Sequence, residues 1–419
     1  MVLLKCPLPC HVKEESQSYS NHLQSESSTS SSISSQPSLP SVTSLTQSSS
    51  ASSHHQLINT LKGHSSQISS LTLHGKFLYT GSSNSEIRAW DRDHFAHQTS
   101  GNTNSQLVAL SNGAVKSLVI LGDKLFSAHQ DHKIRVWKIE INIPNQKFKC
   151  IAILPTLHDR FSKLFSPKNY VAVRRHKKCT WVHHVDTVSA LAISRDGSLL
   201  YSASWDRSFK IWRTLDFKCL ESVGNAHEDA INALVLSNDG FVYTGSADKK
   251  IKVWKKQLGD KKHKFLGILE KHKSAVNALA ISTDGSVLYS GACDRSILVW
   301  EKDNNLIKNG NGGMNMVLVG ALRGHTKAIL CLAVVEDLVC SGSADNSVRI
   351  WRRGTDKSYS CLAVFEGHRR PIKCLAGAVD CNSSVHNGGS ETQTGSSYLV
   401  YSGSLDCDIK VWKIWVPLL

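Results

Sequence analysis

The sequence lacks the features that would direct it to a membrane or to secretion. No stretch of the 419-residue chain approaches the roughly 18 uninterrupted apolar residues of a membrane-spanning helix. Residues 1–10 also lack the apolar core of a secretory signal. Twelve cysteines are present without a single CxxC pair, which disfavours a zinc ribbon or a thioredoxin-like site. We therefore expect reduced thiols and a location in the cytoplasm, the nucleus or both.

Motifs of the common enzyme classes are absent as well. There is no GxSxG nucleophile elbow, no HExxH zinc motif and no phosphate-binding loop. Asp406–Cys407–Asp408 and the pairs His54–His55 and His183–His184 stand without the further ligands that a metal ion needs. We expect no catalytic residues, no metal and no cofactor, and hence a protein that is not an enzyme.

The N-terminal part of the chain has an unusual composition. Half of the residues from 16 to 53 are serine, and most of the others are also polar. Such a segment cannot bury enough apolar surface to offset the entropy lost on ordering. We predict that residues 1–53 form a disordered tail, which is either a phosphorylatable regulatory arm or an inert leader.

From residue 54 onward the chain repeats itself. Each unit has a Ser or Thr, an Asp four residues later and a Trp six residues after that, preceded by a histidine with an apolar residue four positions on. The first unit has Asn84 in place of the Asp, and the second has Ser111 in place of the histidine. The other five units carry the full set: His184, Ser202, Asp206 and Trp212; His227, Thr244, Asp248 and Trp254; His272, Ser290, Asp294 and Trp300; His325, Ser341, Asp345 and Trp351; His368, Ser402, Asp406 and Trp412.

Within each unit, apolar and polar residues alternate with the period of a β-strand, as in the run IKVW that ends at Trp254. Turn sequences such as STDG, ending at Gly285, separate the first two strands. Four short strands in about 40–45 residues are typical of a propeller blade. We predict an all-β fold, a seven-bladed β-propeller over residues 54–419. Its blades end near Trp90, Trp137, Trp212, Trp254, Trp300, Trp351 and Trp412.

These units resemble the WD repeats. Gly63-His64, Gly324-His325 and Gly367-His368 match the Gly-His element of that family, although only Trp90-Asp91 retains the Trp-Asp pair. The resemblance implies a scaffold for protein–protein interactions, in which the four repeated residues form a hydrogen-bonded chain inside each blade. A Ser–His–Asp triad is the alternative interpretation, but a set that recurs around the ring is not a single active site.

A second, more particular resemblance concerns residues 167–178 and Ser204-Trp205-Asp206. These stretches are similar to a plant group within the WD-repeat family, Jingubang and its relatives. That similarity implies a plant regulatory protein of growth or germination that acts through transcription-factor or signalling partners.

The ring also has to be closed. Only seven residues follow Trp412, which leaves little chain for the outer strand of the last blade. Residues 57–61 are strand-like and have no blade of their own, so we predict that they pair onto blade seven and latch the ring. The alternative is that residues 413–416 form the outer strand alone.

The largest spacing between repeat tryptophans, 75 residues, lies between Trp137 and Trp212. It contains a basic insertion at about 145–180, whose nine Lys and Arg residues and single Asp carry +8 of the formal net charge of +15. Two segments compete as the outer strand of blade two, residues 148–154 and residues 179–183. In the first arrangement, which we favour, the insertion emerges on the face that bears Trp205.

The loops after each repeat His and before each Asp should share one face of the ring. We predict that Trp205 protrudes there and that other proteins bind this face, through an acidic or phosphorylated segment or as a transcription factor. The alternatives are a nucleic-acid or anionic-surface binder that uses the insertion, and a substrate adaptor of a larger complex such as a ubiquitin ligase. Arg174 to Lys178 could also act as a nuclear-import signal. We expect a monomeric propeller whose partner-binding residues are Trp205, Arg174, Arg175, Lys177, Lys178, Lys273, Lys327, Arg369 and Arg370.

Overall fold

The described residues of the computed structural model form mostly β-strands and one short helix, α1 (Leu157–Leu164). No helix among the described residues is long and apolar enough to cross a membrane. Most of the predicted tail, residues 1–41, lies outside the described part of the chain. The structure describes residues 42–47, 53–92, 105–140, 148–164, 170–174, 177–257, 259–303, 316–380 and 395–417.

The described strands form seven blades of a propeller, each with four antiparallel strands; β1 adds a fifth, parallel strand to blade six, and a short hairpin lies between blades two and three. Along the chain, β1 (Thr46–Gln47) and β2 (His54–Leu61) come before blade one. Blade one is β3 (Ile68–His74), β4 (Phe77–Ser82), β5 (Glu86–Asp91) and β6 (Ser105–Leu110); blade two is β7 (Val115–Leu121), β8 (Lys124–His129), β9 (Ile134–Lys138) and β10 (Lys149–Leu154); the hairpin is β11 (Tyr170–Arg174) and β12 (Lys177–Thr180); blade three is β13 (Val188–Ile193), β14 (Leu199–Ser204), β15 (Phe209–Arg213) and β16 (Cys219–Val223).

Blades four to seven follow the same plan. Blade four is β17 (Ile231–Leu236), β18 (Phe241–Ser246), β19 (Lys250–Lys255) and β20 (Lys264–Glu270); blade five is β21 (Val276–Ile281), β22 (Val287–Ala292), β23 (Ile297–Lys302) and β24 (Met316–Leu322); blade six is β25 (Ile329–Val335), β26 (Leu338–Ser343), β27 (Val348–Arg353) and β28 (Tyr359–Phe365); blade seven is β29 (Ile372–Val379), β30 (Gly395–Ser404), β31 (Ile409–Pro417) and β2.

Turn chemistry joins the strands of a blade where the sequence predicts it. In the turn between β21 and β22, the side chain of Asp284 accepts a hydrogen bond from the backbone N–H of Ser286 at 3.0 Å. Gly285 follows with φ of 73°, a left-handed conformation that glycine adopts without steric cost. This tight turn lets β21 and β22 pair antiparallel, from Val276 opposite Ala292 to Ile281 opposite Leu288.

Adjacent blades meet through very close contacts on their second strands. A Cβ on Gly245 of β18 would lie 2.8 Å from Val276 of blade five, and one on Gly403 of β30 would lie 2.8 Å from Ile68 of blade one. Gly81, Gly291 and Gly342 meet the next blade in the same way. Glycine at these positions lets a branched side chain of the neighbouring blade fill the space, which gives the interface the close packing of a protein core.

The predicted latch is confirmed. β2 pairs antiparallel with β31, with Leu57 opposite Trp412 and Leu61 opposite Ile409. Leu61 is completely buried in a cluster that joins blades one and seven. The alternative is wrong, because residues 413–416 continue β31 and pair with β30 instead of forming a separate outer strand.

The favoured outer strand of blade two is also confirmed. β10 pairs antiparallel with β9, from Lys149 opposite Lys138 to Leu154 opposite Ile134. The competing segment forms no strand in this blade: Lys177–Thr180 pairs with β11 in the separate hairpin. The alternation in residues 148–154 therefore identified the outer strand correctly.

The predicted extent of the disordered tail needs a correction at its C-terminal end. Residues 42–47 lie on the propeller, where β1 pairs in parallel with β28, and Val42 is buried. Ser53 is ordered too, and its hydroxyl donates to the backbone oxygen of Leu362. Val42 and Leu45, three positions apart, pack against apolar clusters of the propeller. The average composition of the tail gave no sign of these two contacts.

The latch generates a prediction for two truncations of the chain. Deleting residues 1–50 keeps β2, so we expect the melting temperature to stay within a few degrees of the full-length value. Deleting residues 1–62 removes β2, bares the edge of β31 and opens the cluster around Leu61, so we expect a fall of more than about 5 °C and a broader transition. Equal melting curves for the two truncations, measured by circular dichroism, would contradict the latch.

Candidate partner-binding face

A buried hydrogen-bonded set stands at the same place in blades three to seven. In blade three, His184 Nδ1 lies 2.9 Å from Asp206 and Nε2 lies 2.9 Å from the hydroxyl of Ser202. The indole N–H of Trp212 donates to that hydroxyl at 2.9 Å. His227, His272, His325 and His368 make the same two contacts with their own Asp and Ser or Thr at 2.8–3.0 Å.

The aspartate of each set joins two loops of the propeller. Asp294 accepts from the backbone N–H of Lys273, in the loop after His272, and from that of Ser296 in its own turn. The residue between, Arg295, is left-handed with φ of 68°. Burial alone would raise the pKa of Asp294, but hydrogen bonding to His272 and its charge outweigh burial and lower the pKa to about 2. The carboxylate is therefore ionised and holds both loops in place at neutral pH.

These two loops meet in every blade. The turn between the second and third strands donates a backbone N–H to the loop before the blade, as Trp205 does to Thr187 at 3.0 Å. We call this end of the propeller the loop face. The equivalent donors in the other blades are Ser83, Gln130, Ala247, Cys293, Ala344 and Leu405, at 2.9–3.0 Å.

Blade two reaches the same arrangement with a different histidine. Ser111 stands where the repeat histidine would be, and His129 of β8 takes over the contacts: its Nε2 lies 2.7 Å from Ser127, and its Nδ1 lies 3.1 Å from Ser111. The Trp137 indole N–H donates to Ser127 at 2.7 Å. The sequence pattern missed His129, because it lies two residues after the serine instead of upstream of the blade.

Blade one has the imidazole but not the aspartate. His64 Nε2 lies 2.7 Å from Thr80, and the Trp90 indole N–H donates to that hydroxyl at 2.9 Å. The other imidazole nitrogen of His64, Nδ1, lies 3.5 Å from Glu86. Burial, together with the charge of Arg88, lowers the pKa of His64 to about 3, so the imidazole is neutral at physiological pH.

The mouth of the central channel is lined by the residue that follows the first residue of each innermost strand. Four of these side chains donate to a backbone oxygen of the next blade, as Asn232 does to Val276 at 3.0 Å and Asn277 does to Ile329 at 2.8 Å. None of the seven is acidic, and two are lysines. The seven residues, which we call the mouth ring, are Ser69, Lys116, Ser189, Asn232, Asn277, Leu330 and Lys373.

Lys116 of the mouth ring and Trp205 form a cationic and aromatic contact. The ammonium of Lys116 lies 5.6 Å from the centroid of the Trp205 ring, a distance at which a cation is attracted to the face of an indole. Burial, and then the charge of Lys373, lower the pKa of Lys116. Trp205 itself is only partly buried.

The structure places the other predicted contact residues in two regions. Lys273, Lys327, Arg369 and Arg370 are exposed on the loop face, each in the loop that follows a repeat histidine. Arg174, Lys177 and Lys178 belong to the hairpin of β11 and β12, but their side chains lie outside the described part of the structure, as does Arg175.

The helix of the basic insertion lies at the outer edge of blade three. Thr156 caps it by accepting from the N–H of Asp159 at 3.2 Å, and the buried Asp159 carboxylate accepts from the backbone N–H of Cys219 at 2.8 Å. Cys219 begins the outermost strand of the blade, whereas Trp205 contacts the innermost strand of blade two. The described contacts therefore do not join the insertion to Trp205, and a composite site remains a prediction.

Comparison with known proteins identifies the family. A family model described as "WD domain, G-beta repeat" matches residues 55–91, 176–213, 217–255, 263–301, 316–352 and 359–413, which is more than half of the chain. The chain belongs to the WD-repeat family. Blade two lies outside these matches, which agrees with its displaced histidine. A WD-repeat propeller is consistent with a scaffold for protein interactions.

Relatives and a solved structure support the fold. Autophagy-related protein 16 of Arabidopsis thaliana is 25% identical over 304 residues, 68% of this chain and 56% of that protein. Protein ROOT INITIATION DEFECTIVE 3 of the same plant is 30% identical over 205 residues, 45% of this chain and 44% of that protein. The chain therefore spans about half the length of these relatives. The WD40 β-propeller domain of Doa1 superposes with a TM-score of 0.58 at 19% identity, over 85% of this chain and 96% of the domain.

The hydrogen-bonded set generates a stability prediction. Asp345→Ala leaves His325 and the backbone N–H of Thr326 without their acceptor, so we expect a loss of about 1–3 kcal/mol in the free energy of unfolding. Asp206→Ala should behave alike in blade three. The matched control is Asp216→Ala, whose ion pair with Arg213 is nearly half exposed and should contribute little. Denaturation curves that do not separate Asp345→Ala from the control would contradict this role.

The neutral imidazoles generate a pH prediction. Burial, with a contribution from Arg135, lowers the pKa of His129 to about 4, against an ordinary value of 6.5. Between these values the unfolded chain binds protons that the folded chain does not, so stability should fall as the pH drops from 6.5 toward 4. His129→Gln removes one such group and should make this dependence shallower. Urea midpoints at pH 7, 5.5 and 4.5 test it, and parallel curves for the two proteins would contradict the assignment.

Proposed function

We propose that this chain is a non-enzymatic scaffold that binds partner proteins through the loop face, with Lys116, Lys373 and Trp205 at the centre of the binding site. The observation that carries the proposal is the pair of lysines in a mouth ring without an acidic residue, next to a half-buried tryptophan. In each of blades three to seven an aspartate holds the surrounding loops in place, and rigid loops are where binding residues concentrate.

The chemistry of the site favours an acidic or phosphorylated segment. A carboxylate or phosphate would form charge-assisted hydrogen bonds with the lysine ammonium groups of the mouth ring. The open part of the Trp205 ring offers a flat apolar contact, and tryptophan is enriched among the residues that dominate binding energy at interfaces. Lys273, Lys327, Arg369 and Arg370 extend the positive surface around this centre and would attract an acidic partner at longer range.

The biological setting is proposed on similarity alone. Two of the relatives are Arabidopsis thaliana proteins, and one carries a name that refers to root initiation. Together with the resemblance to the Jingubang group, this supports a plant regulatory role in growth or germination, with a transcription factor or signalling protein as the partner. We place the protein in the cytoplasm, the nucleus or both, as a monomeric propeller. An adaptor of a ubiquitin ligase would use the same face for its substrate.

The basic insertion favours nucleic acid as a second candidate partner. Its net charge of +8 over residues 145–180 includes the hairpin of β11 and β12. Binding to phosphates releases counterions, so the logarithm of the affinity would fall steeply with the logarithm of salt concentration, by about 0.9 per phosphate contact on duplex DNA. A shallow salt dependence with a captured protein partner, and no retention on DNA at physiological salt, would favour the scaffold.

Affinity capture from plant extract, followed by mass spectrometry, tests the loop face. Trp205→Ala and the double variant Lys116→Gln/Lys373→Gln should each reduce the recovery of a specific partner about tenfold or more, because each removes a contact at the centre of the site. The matched control is Lys261→Gln/Lys262→Gln, which removes two exposed lysines from the loop between β19 and β20 on the opposite face. Undiminished recovery of every partner by both loop-face variants, at unchanged melting temperature, would refute the proposal.

A further inference from the structure

Residues 42–47, which we call the strap, bind along the outer strands of blades five and six. On one side, Leu45 donates its N–H to the Ala321 oxygen at 2.9 Å, and Ala321 donates to the Thr43 oxygen at 3.0 Å. On the other side, Tyr359 donates to the Leu45 oxygen at 2.9 Å. The pairing is parallel to both β24 and β28. The strap therefore fills a groove between two blades, which we call the inter-blade groove.

Two apolar side chains anchor the strap. Val42 is buried in a cluster with Leu298, Met316 and Ala321 of blade five. Leu45 packs on a second cluster, in which blades five and six meet around Leu322 and Tyr359. Because the anchors are three residues apart on an extended segment, the groove selects an apolar residue, two spacer residues and a second apolar residue.

Polar contacts hold the ends of the strap. The hydroxyl of Thr46 accepts from the backbone N–H of Arg323 at 2.9 Å, and the guanidinium of Arg323 donates to the Val42 oxygen at 2.7 Å. The contact with Thr46 requires a Thr or Ser directly after the second anchor, Leu45. The contact at the first anchor, Val42, involves only its backbone oxygen. They add side-chain selectivity to backbone pairing, the combination by which sheet edges recognise extended peptides.

Gly320 leaves room for the strap in the inter-blade groove, because it has no side chain. A Cβ at this position would lie 2.5 Å from Cγ of Leu45 and 2.8 Å from the backbone oxygen of Thr43. Both are atoms of the strap, and no atom of the propeller itself is among the three nearest. Alanine here would therefore clash first with the strap.

The strap is not needed to close the ring, because β2 already does so. Among the sheets that the structure describes, that of blade six alone has a fifth strand. Exposed strand edges are templates for pairing with other chains, and the strap covers such edges on two neighbouring blades. Only five residues separate the strap from Ser53, so the tether keeps its local concentration high, in the millimolar range typical of short linkers.

We propose that the inter-blade groove is a second protein-binding site, which the strap occupies in cis and which an extended segment of a partner protein occupies in its place. The partner segment has the pattern of the strap: an apolar residue, two small polar residues, Leu or a similar apolar residue, and Thr or Ser. Binding is by parallel strand addition between β24 and β28. This site lies at the outer rim of the propeller, and the proposal does not depend on the loop face.

The test uses a fluorescent nine-residue peptide with the sequence of residues 40–48, PSVTSLTQS, and the full-length chain. The wild-type chain should bind this probe weakly, because the tethered strap competes. Val42→Asp/Leu45→Asp should release the strap and bind the probe at least tenfold more tightly. Deletion of residues 1–47, which leaves β2 in place, should have the same effect and serves as the second way to empty the groove.

Gly320→Ala in the Val42→Asp/Leu45→Asp background supplies the decisive comparison. It should return probe binding to the wild-type level or below. The matched control, Gly224→Ala, makes the same chemical change where a Cβ would meet nothing within 4 Å, and it should leave probe binding unchanged. Probe affinity that is no higher for the strap-free chains than for wild type, or that is insensitive to Gly320→Ala, would overturn the proposal.

Hydrogen–deuterium exchange gives an independent readout. The N–H groups of Ala321, Arg323 and Tyr359 donate to the strap, so their exchange should accelerate in the strap-free chains and slow again when the probe is added. Unchanged exchange at these amides, or fast exchange that the probe does not slow, would overturn the proposal. An unaltered melting temperature of the strap-free chains shows that the propeller remains folded during the measurement.

Discussion

The ionised aspartate in the turn between the second and third strands of a blade is the interaction on which the loop face depends. A buried carboxylate is costly unless it is paired and hydrogen-bonded. In blades three to seven this one accepts from an imidazole, from the backbone after that imidazole and from its own turn. A continuous chain of hydrogen bonds therefore runs from the repeat tryptophan through the Ser or Thr hydroxyl and the imidazole to the aspartate, which binds two loops at the end of the blade. Because the arrangement recurs in five of the seven blades, backbone-directed contacts hold most of the loops of this face in place.

Blade two shows which part of this arrangement is indispensable. The histidine comes from the second strand of the blade instead of the loop before it, and Asp131 pairs with Arg135. The indole-to-hydroxyl and hydroxyl-to-imidazole contacts nevertheless persist at 2.7 Å. Burying a tryptophan N–H and a serine hydroxyl without partners would leave unsatisfied polar groups, so an imidazole at that point is required wherever in the chain it originates. The fold requires a buried hydrogen-bonding group beside the hydroxyl. In most blades the upstream histidine supplies it, and the sequence pattern shows only that histidine.

The N-terminal part of the described chain serves the propeller in two different ways. β2 completes blade seven and removes the one break in the ring, so it belongs to the fold. The strap lies further out, between two blades that are already complete, and adds a fifth strand to blade six. The molecule thus has two chemically distinct surfaces: a cationic and aromatic centre at the channel mouth, and a groove at the outer rim lined by backbone donors and acceptors and by apolar pockets.

The sequence by itself determined the repeat, the alternation of the strands, the number of blades and the source of the latching strand. These features follow from local periodicity, turn chemistry and a missing strand that had to be supplied from elsewhere. Tertiary structure alone decided that His129 substitutes for an absent histidine, that α1 lies along blade three, and that Val42 and Leu45 are ordered against blades five and six. It also decided that Lys116 and Trp205, which are far apart in sequence, lie in contact. The physical reason is that burial and charge proximity depend on which blades are neighbours in space, and a periodic pattern within one blade contains no information about that.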